Sequence, residues 1–332
     1  MSPDATAFAL PGVSLELSER LADGLDRVNA FIADRVDHDD PFIAGANRHL
    51  LAGGKRLRPL LALLAAELGP RGINDDVVAA GAGVELTHLA SLYHDDVMDE
   101  ADVRHGQPTV HAAYDNSTAI LVGDLLFGTA SEIMADLGPE AVRIQAQTFV
   151  RLCAGQIRDD RPAPADADQV DYYLGVLADK TGVLIATAAR YGAMFGGSGP
   201  DVVEVMREYG ERLGMAFQLA DDLLDIASDA SGKTPGTDLR EGKRTLPVLY
   251  ALASTDPADA RLRELLRSDL RHDEAGLDEA IRLLRAHPAM EQAAERTYAV
   301  GRGAQDVLAP LPDSEAKTAL LALATSVVAR AR

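Results

Sequence analysis

GAGVELTHLASLYHDDV, residues 81–97, places small or apolar side chains at nearly every position before it meets an abrupt pair of aspartates. A helix with this content is apolar around most of its circumference, which suits the inside of a bundle and not its surface. A second stretch, VEVMREYGERLGMAFQLADDLL at residues 203–224, has the same character and ends on the same Asp-Asp pair. Around both, Ala, Leu, Glu and Arg dominate, Trp is absent and aromatics make up 5%. These residues lose little free energy in helices, so the chain is predicted to be all-α.

Working outward, residues 15–36 carry Leu21, Leu25, Val28, Phe31, Ile32 and Val36 at spacings of three and four, one face of an amphipathic helix. Further helices are predicted over 59–67, 75–98, 116–137, 139–158, 168–195, 201–229, 245–253, 258–270, 276–286, 289–308 and 313–329. Strand-like alternation is hard to find. Breaks fall where turn residues cluster, at 53–54, 69–70, 106–108, 161–164, 196–200 and 231–242. None reads as a domain boundary, so one helical domain over 1–332 is expected, with 1–14 a flexible leading segment.

The 332 residues carry 32 Lys+Arg against 52 Asp+Glu, a net charge of −20. A polyanion-binding protein needs a basic surface to displace counterions, so a general nucleic-acid role is excluded. With 47% hydrophobic and 25% charged residues, the chain is neither disordered nor, lacking any obvious apolar run near the length of a span, expected to insert stably in a membrane. The single Cys153 has no partner for a disulfide, and no positive residue precedes Arg20 as a signal peptide would require. The expected location is the cytoplasm.

The two aspartate pairs belong to two D-D-x-x-D clusters, Asp95-Asp96-Val97-Met98-Asp99 and Asp221-Asp222-Leu223-Leu224-Asp225. On a helix the first and fifth positions are i,i+4 neighbours, which brings two carboxylates within about 6 Å on one face. One such pentapeptide alone reads as a solvated acidic turn. Two of them, each following an unusually apolar helix, would be costly without cations. Oxygen donors with no cysteine favour a hard ion. Mg²⁺ typically takes one or two carboxylates and completes its octahedron with water and phosphate oxygens, so facing clusters predict a diphosphate held between Mg²⁺ ions.

Further motifs accompany the clusters. Gly53-Gly54-Lys55-Arg56-Leu57-Arg58-Pro59 precedes the first, which is followed by Arg104-His105-Gly106. Lys180-Thr181 lies between the clusters, Phe217-Gln218 leads into the second, and Gly232-Lys233 with Gly242-Lys243 follows it. In this order the motifs resemble those of the trans-polyprenyl diphosphate synthases, which condense isopentenyl diphosphate with an allylic diphosphate. The resemblance runs from about Asn47 to Leu249. It implies a bundle of antiparallel helices around a deep central cavity, a homodimer, and a prenyltransferase of isoprenoid biosynthesis using three Mg²⁺ ions once substrate is bound.

The same resemblance assigns roles. Asp95, Asp99 and Asp221 are the expected direct metal ligands, with Asp225 also among the metal set and Asp96 and Asp222 in direct or water-mediated support. Gly54, Lys55 and Arg58 take isopentenyl diphosphate, with Arg56 in the same basic loop; without the resemblance that loop reads as a solvated basic turn. Arg104 takes the allylic diphosphate, as does Lys180 beside Thr181 at an expected helix kink. His88, two turns below Asp95, is otherwise a satisfied core histidine, but the family places a phosphate-binding histidine there. Gln218, one turn below Asp221, orients substrate or ligands, where the plainer reading is a buried amide. Lys233 and Lys243 close over the site and exclude water. His105 departs from the family's usual arginine, so isopentenyl diphosphate binding should be weaker or more pH-dependent.

Product length in the family follows how far the growing tail passes down the first aspartate helix. Gly83, Thr87, Ala90 and Ser91 include no Phe or Tyr, which points to an all-trans product of medium or long chain over geranylgeranyl or farnesyl diphosphate. A class I terpene cyclase would carry aromatic-rich pockets and a different second metal motif. A non-catalytic subunit of a heteromeric synthase would lose aspartates or the basic loop, and both are retained.

Overall fold

The computed structural model describes residues 12–49, 51, 56–104, 106–227 and 235–330. It is 76% helical, and among the described residues the strands amount to one antiparallel pair, Val103–Arg104 (β1) with Gln107–Pro108 (β2). The expected all-α class holds.

Helix starts follow from local capping. Asn74 opens α4 (Asp75–Met98) by accepting the backbone N–H groups of Asp76 and Val77 at 3.0 and 3.3 Å. Asp115 does the same for Thr118 at the start of α6 (Asn116–Leu137), and Ser14 for Leu17 at the start of α1 (Leu15–Arg35). The structure adds short helices that the periodicity is too brief to reveal: α2 (Pro41–Arg48) and α5 (Val110–Ala113), and α11 (Thr237–Arg240) beyond the second cluster. The helix predicted over 168–195 is divided. Its first part, α8 (Gln169–Leu177), passes through a π turn at Ala178–Gly182 into α9 (Val183–Phe195).

Contacts divide the chain into two compact units. One comprises Met1–Val150, Leu184–Gly210 and Pro310–Leu320, and the other Arg151–Val183, Glu211–Ala309 and Leu321–Arg332. In the first, α4 packs against α1, α3 (Leu57–Ala66) and α6. Its residues are buried from Val77 to Ala90 save Ala79 and His88, and again at Tyr93 and Asp96. In the second, α12 (Leu246–Ala253) packs against α8 and α15 (Pro288–Val307). Leu174 and Leu177 of α8 share a core with Leu219, Leu223, Leu246 and Ala293. The long α10 (Pro200–Ala227) contributes its first turns to one unit and its aspartate cluster to the other.

α6 differs from the sequence expectation in one respect. By length and composition it is apolar enough to cross a membrane, although 39% of its apolar window is buried in the protein. Much of the rest is an exposed apolar strip, including Leu121 at 65% exposure. The other long helix beside it in sequence, α7 (Pro139–Asp159), exposes Val142, Phe149 and Val150 in the same way.

Candidate active site

The two acidic clusters fall in different units, and each is organised by its own neighbours. In the first unit, α4 carries Asp95 and Asp96 in its last turn, and the backbone N–H of Asp99 closes that turn on the Asp95 carbonyl at 2.8 Å. Asp95 is partly exposed and Asp99 exposed. Asp96 points the other way and is only 1% exposed. Arg104 donates its Nε to Asp96 Oδ1 at 2.6 Å, while the buried Oδ2 has no hydrogen-bond partner. Burial pushes the Asp96 carboxyl up, and the Arg104 charge and hydrogen bond oppose it. Arg104 sits on β1, so the small hairpin fixes this guanidinium against the helix end.

His88 is partly buried two turns below Asp95, and Ser91 between them donates to the His88 carbonyl at 2.7 Å. Thr87 likewise donates to the Gly83 carbonyl at 2.8 Å. Ala90 and Thr87 are buried, at 0% and 2% exposure.

The basic loop divides. Gly53, Gly54 and Lys55 lie outside the described residues, as does His105. Arg56 adopts a left-handed conformation at φ 49° and turns into the protein. It reaches Glu85 Oε1 at 2.7 Å and Asn29 Oδ1 at 3.2 Å. Arg58 is different: its Nε is buried without a hydrogen-bond partner, and desolvation lowers its pKa against the raising effect of Glu85. A buried unpaired donor on a cation is costly, and an anion is the ligand that satisfies it.

In the second unit the cluster again splits by depth. Asp222 is 2% exposed; the Tyr173 hydroxyl donates to its Oδ2 and Gln218 Nε2 to its Oδ1 at 3.1 Å. Burial, and then the Asp238 charge, push the Asp222 carboxyl up to about 8, against the lowering effect of those two hydrogen bonds. Thr181 donates to Gln218 Oε1 at 3.5 Å, which links the π turn to the cluster through Gln218 and Asp222 to Tyr173. Asp221 is partly exposed and meets Arg330 at 3.0 Å, with that guanidinium stacked 5.0 Å from the Phe217 ring centroid. Asp225 accepts the backbone N–H groups of Thr237 and Asp238 at 3.2 and 3.1 Å and so anchors α11.

Lys180 sits in the π turn and donates to Asp159 Oδ2 at 2.7 Å. A π turn widens the helix by one residue and re-aims the side chains within it. It is seated against Gly155 of α7, where any Cβ would collide with the Asp179 and Lys180 backbone. Asp179 is held by Arg151 at 2.9 Å and Arg158 at 3.1 Å. Lys243 pairs with Glu241 at 2.6 Å, and Gly232 and Lys233 lie outside the described residues.

Sequence reasoning did not find Tyr173, Asp159 or Arg330. Tyr173 stands seven residues before Lys180, two helical turns below it, a spacing readable only once Lys180 matters. Arg330 carries no sequence signal at all.

In each cluster, then, the second aspartate is buried and bonded inward, while the first remains within reach of solvent. Among the described residues no group of three or more His, Cys, Asp or Glu side chains could hold a metal ion. The donor set suits a hard cation that takes few protein oxygens and draws the rest from water and phosphate.

A family model described as polyprenyl synthetase matches residues 40–284. The nonaprenyl diphosphate synthase of Mycobacterium tuberculosis is 46% identical over 310 residues, covering 92% of each chain. Among solved structures, geranylgeranyl pyrophosphate synthase from Corynebacterium glutamicum, complexed with calcium and isoprenyl diphosphate, is similar at a TM-score of 0.86. It has 41% identity, and the match covers 96% of this chain and 98% of that one. A decaprenyl diphosphate synthase from Rhodobacter capsulatus reaches a TM-score of 0.87 at 36% identity, over 96% and 99% of the two chains.

Proposed function

Since the chain belongs to the polyprenyl synthetase family and is a prenyl-transferring enzyme, we propose that it joins isopentenyl diphosphate head to tail to an allylic diphosphate, with Mg²⁺, to make an all-trans product of medium or long chain. The observation that carries this reading is the division of labour inside each acidic cluster. Asp96 and Asp222 are buried and bonded inward, so they set the rotation of their helices and turn Asp95, Asp99 and Asp221 to the ligand side.

Asp95, Asp99 and Asp221 would hold Mg²⁺, which when bound would supply Lewis-acid stabilisation of the departing diphosphate. Arg104, its plane set through Nε by Asp96, and Lys180, aimed by the π turn and Asp159, hold the allylic diphosphate while its C–O bond breaks. His88 adds a phosphate contact, and Gln218 with Thr181 keeps the second cluster in register with the lysine. Lys55 and Arg58 hold isopentenyl diphosphate; the unsatisfied Nε of Arg58 is the donor that a phosphate oxygen completes. His105 supplies positive charge there only when protonated. Lys233 and Lys243, in the segment after the second cluster, close over the reacting groups and keep water from the allylic cation. Fixed cations and dipoles aimed at the leaving group do most of the work.

Chain length follows from α4, where Ser91, Ala90, Thr87 and Gly83 present small side chains below Asp95. We assign a homodimer to the exposed apolar face of α6 and α7. Ile120, Leu121 and Leu125 lie on one helix and Val142, Phe149 and Val150 on the other, all at least 37% exposed, an apolar strip that a second copy would cover. The enzyme is placed in the cytoplasm.

Incubation with Mg²⁺, labelled isopentenyl diphosphate and farnesyl or geranylgeranyl diphosphate, followed by chromatography, tests the reading. A ladder extending past the C20 product is expected. No labelled prenyl product from any allylic primer sinks it.

A further inference from the structure

A π turn gives up regular helical hydrogen bonding, so it persists where its surroundings over-determine it. In the turn at Ala178–Gly182 the Val183 N–H reaches back five residues to the Ala178 carbonyl. Lys180 is the middle residue of the five, and three constraints converge around it.

The first is close approach by α7. A Cβ on Gly155 would stand 2.7 Å from the Lys180 nitrogen and 2.8 Å from the Asp179 carbonyl carbon, so glycine is what lets the two backbones pack. The second is ionic. Arg151 and Arg158 stand four residues before Gly155 and three after it, on the same stripe of α7, and both reach Asp179. Arg151 donates its Nε to Oδ1 at 2.9 Å and Arg158 its Nη1 to Oδ2 at 3.1 Å, so each carboxylate oxygen has its own guanidinium. The third comes from α10. A Cβ on Gly182 would stand 3.0 Å from the Glu211 carbonyl oxygen, and the Glu211 carboxylate accepts from Arg151 at 2.7 Å. The turn is thus gripped at its second residue by α7 and at its last by α10, with Arg151 common to both.

Asp179 stands directly before Lys180, whose amine meets Asp159 at 2.7 Å. One residue of helix register is worth about 100° of rotation, so relaxation of the π turn into regular helix would swing the lysine by an angle of that order. Arg151 and Arg158 are 40% and 37% exposed, and ion pairs so exposed add little stability. Losing them should show in catalysis before it shows in folding.

Resting on the prenyl-transfer reading above, in which Lys180 holds the allylic diphosphate, we infer that Asp179 is a positioning residue. Clamped by Arg151 and Arg158 across Gly155, it keeps the π turn from relaxing and so fixes where the Lys180 amine meets the departing diphosphate. It acts through the backbone of the lysine beside it, not on the substrate.

The test is a double-mutant cycle on purified enzyme with Mg²⁺, labelled isopentenyl diphosphate and farnesyl diphosphate as primer. Asp179→Ala should lower kcat/KM for the primer by about tenfold or more, while the KM for isopentenyl diphosphate stays within about twofold of wild type. Introduced into Lys180→Ala, the same change should cost less than about twofold further, because no amine is left for it to aim. A merely structural role behaves differently: fewer folded molecules lower kcat by the same factor in both backgrounds and leave both KM values alone. Gly155→Ala, which pushes the turn off α7, should move the same primer-side constant. If Asp179→Ala does not fold, Asp179→Asn, which keeps the volume and one acceptor but loses the charge, enters the same cycle with the same direction of change. A primer kcat/KM within about twofold of wild type, or the full loss repeated in Lys180→Ala, overturns the positioning assignment alone. A wild type that forms no labelled product overturns the elongation reading, and this inference falls with it.

Discussion

Asp222→Asn should make the metal-free protein progressively more stable than wild type as pH rises. The fold holds the Asp222 carboxyl up at about 8, against 3.8 for a free aspartate, chiefly through burial. A carboxyl that keeps its proton to higher pH in the folded chain than in the unfolded chain makes folding proton-binding. Its contribution is fully present below about pH 4 and is lost as pH rises toward 8. About three of those units lie between pH 5 and 8, and at roughly 1.4 kcal/mol each they amount to on the order of 4 kcal/mol. Asparagine keeps the volume and can still accept from Tyr173 or Gln218, but it has no charge to bury. In EDTA, the Tm of the variant should therefore pull ahead of wild type by about 8 °C between pH 5 and 8, taking about 2 °C per kcal/mol for a chain of this size. Comparing the two proteins cancels every other titrating group. Parallel Tm curves across that range would refute the reasoning, since they would mean that Asp222 carries its charge in the folded protein throughout.

Tyr173→Phe removes a hydroxyl that donates to Asp222 Oδ2. It should cost about 1–3 kcal/mol in the metal-free protein and shift the same pH dependence to higher pH, read from the same melts. Arg56→Gln strips Glu85, 4% exposed, of its hydrogen-bonded cation and leaves it only the nearby Arg58 charge. Urea unfolding should show a loss of about 3–5 kcal/mol, as expected when one partner of a buried pair is removed, and a loss under 1 kcal/mol would return Arg56 to the solvated loop. Ala90→Phe places an aromatic ring at a fully buried α4 position just above Thr87. Chromatography of its labelled products should show a shorter ladder, and unchanged products would remove α4 from the determinants of chain length.

The long helices were legible because their signals are local. Leu21, Leu25, Val28, Phe31, Ile32 and Val36 mark one helix face by their spacing alone, and the apolar content of residues 81–97 reports burial without any knowledge of what covers it. The clusters were legible as motifs, yet their internal division was not. Asp95 and Asp96 are adjacent and chemically identical, and only the position of Arg104 on a two-residue strand decides which one faces inward. The same holds for Asp222, whose partner Tyr173 lies 49 residues away. Arg56 and Arg58 also look equivalent in sequence. The left-handed turn at Arg56 sends one guanidinium to Glu85 and leaves the other with an unsatisfied Nε, a difference of backbone geometry that residue type does not encode.

The charge of −20 bears on how such a site can select a diphosphate. Most of the cations around the clusters already face an acid: Arg104 meets Asp96, Lys180 meets Asp159, Lys243 meets Glu241 and Arg330 meets Asp221. A bare diphosphate approaching either acidic cluster would meet like charge at short range, which opposes it. A diphosphate arriving with Mg²⁺ meets the reverse situation. If the enzyme acts as proposed, its metal ions would be held by Asp95, Asp99 and Asp221, and Arg104 and Lys180 would meet phosphate oxygens with the donors that Asp96 and Asp159 leave free. Pairing the cations internally thus keeps them ordered and in place, and if the enzyme acts as proposed it would favour the metal complex over the anion alone. Arg58 departs from this pattern: its buried Nε has no hydrogen-bond partner. If the enzyme acts as proposed, that open Nε would serve isopentenyl diphosphate, the substrate whose diphosphate does not leave.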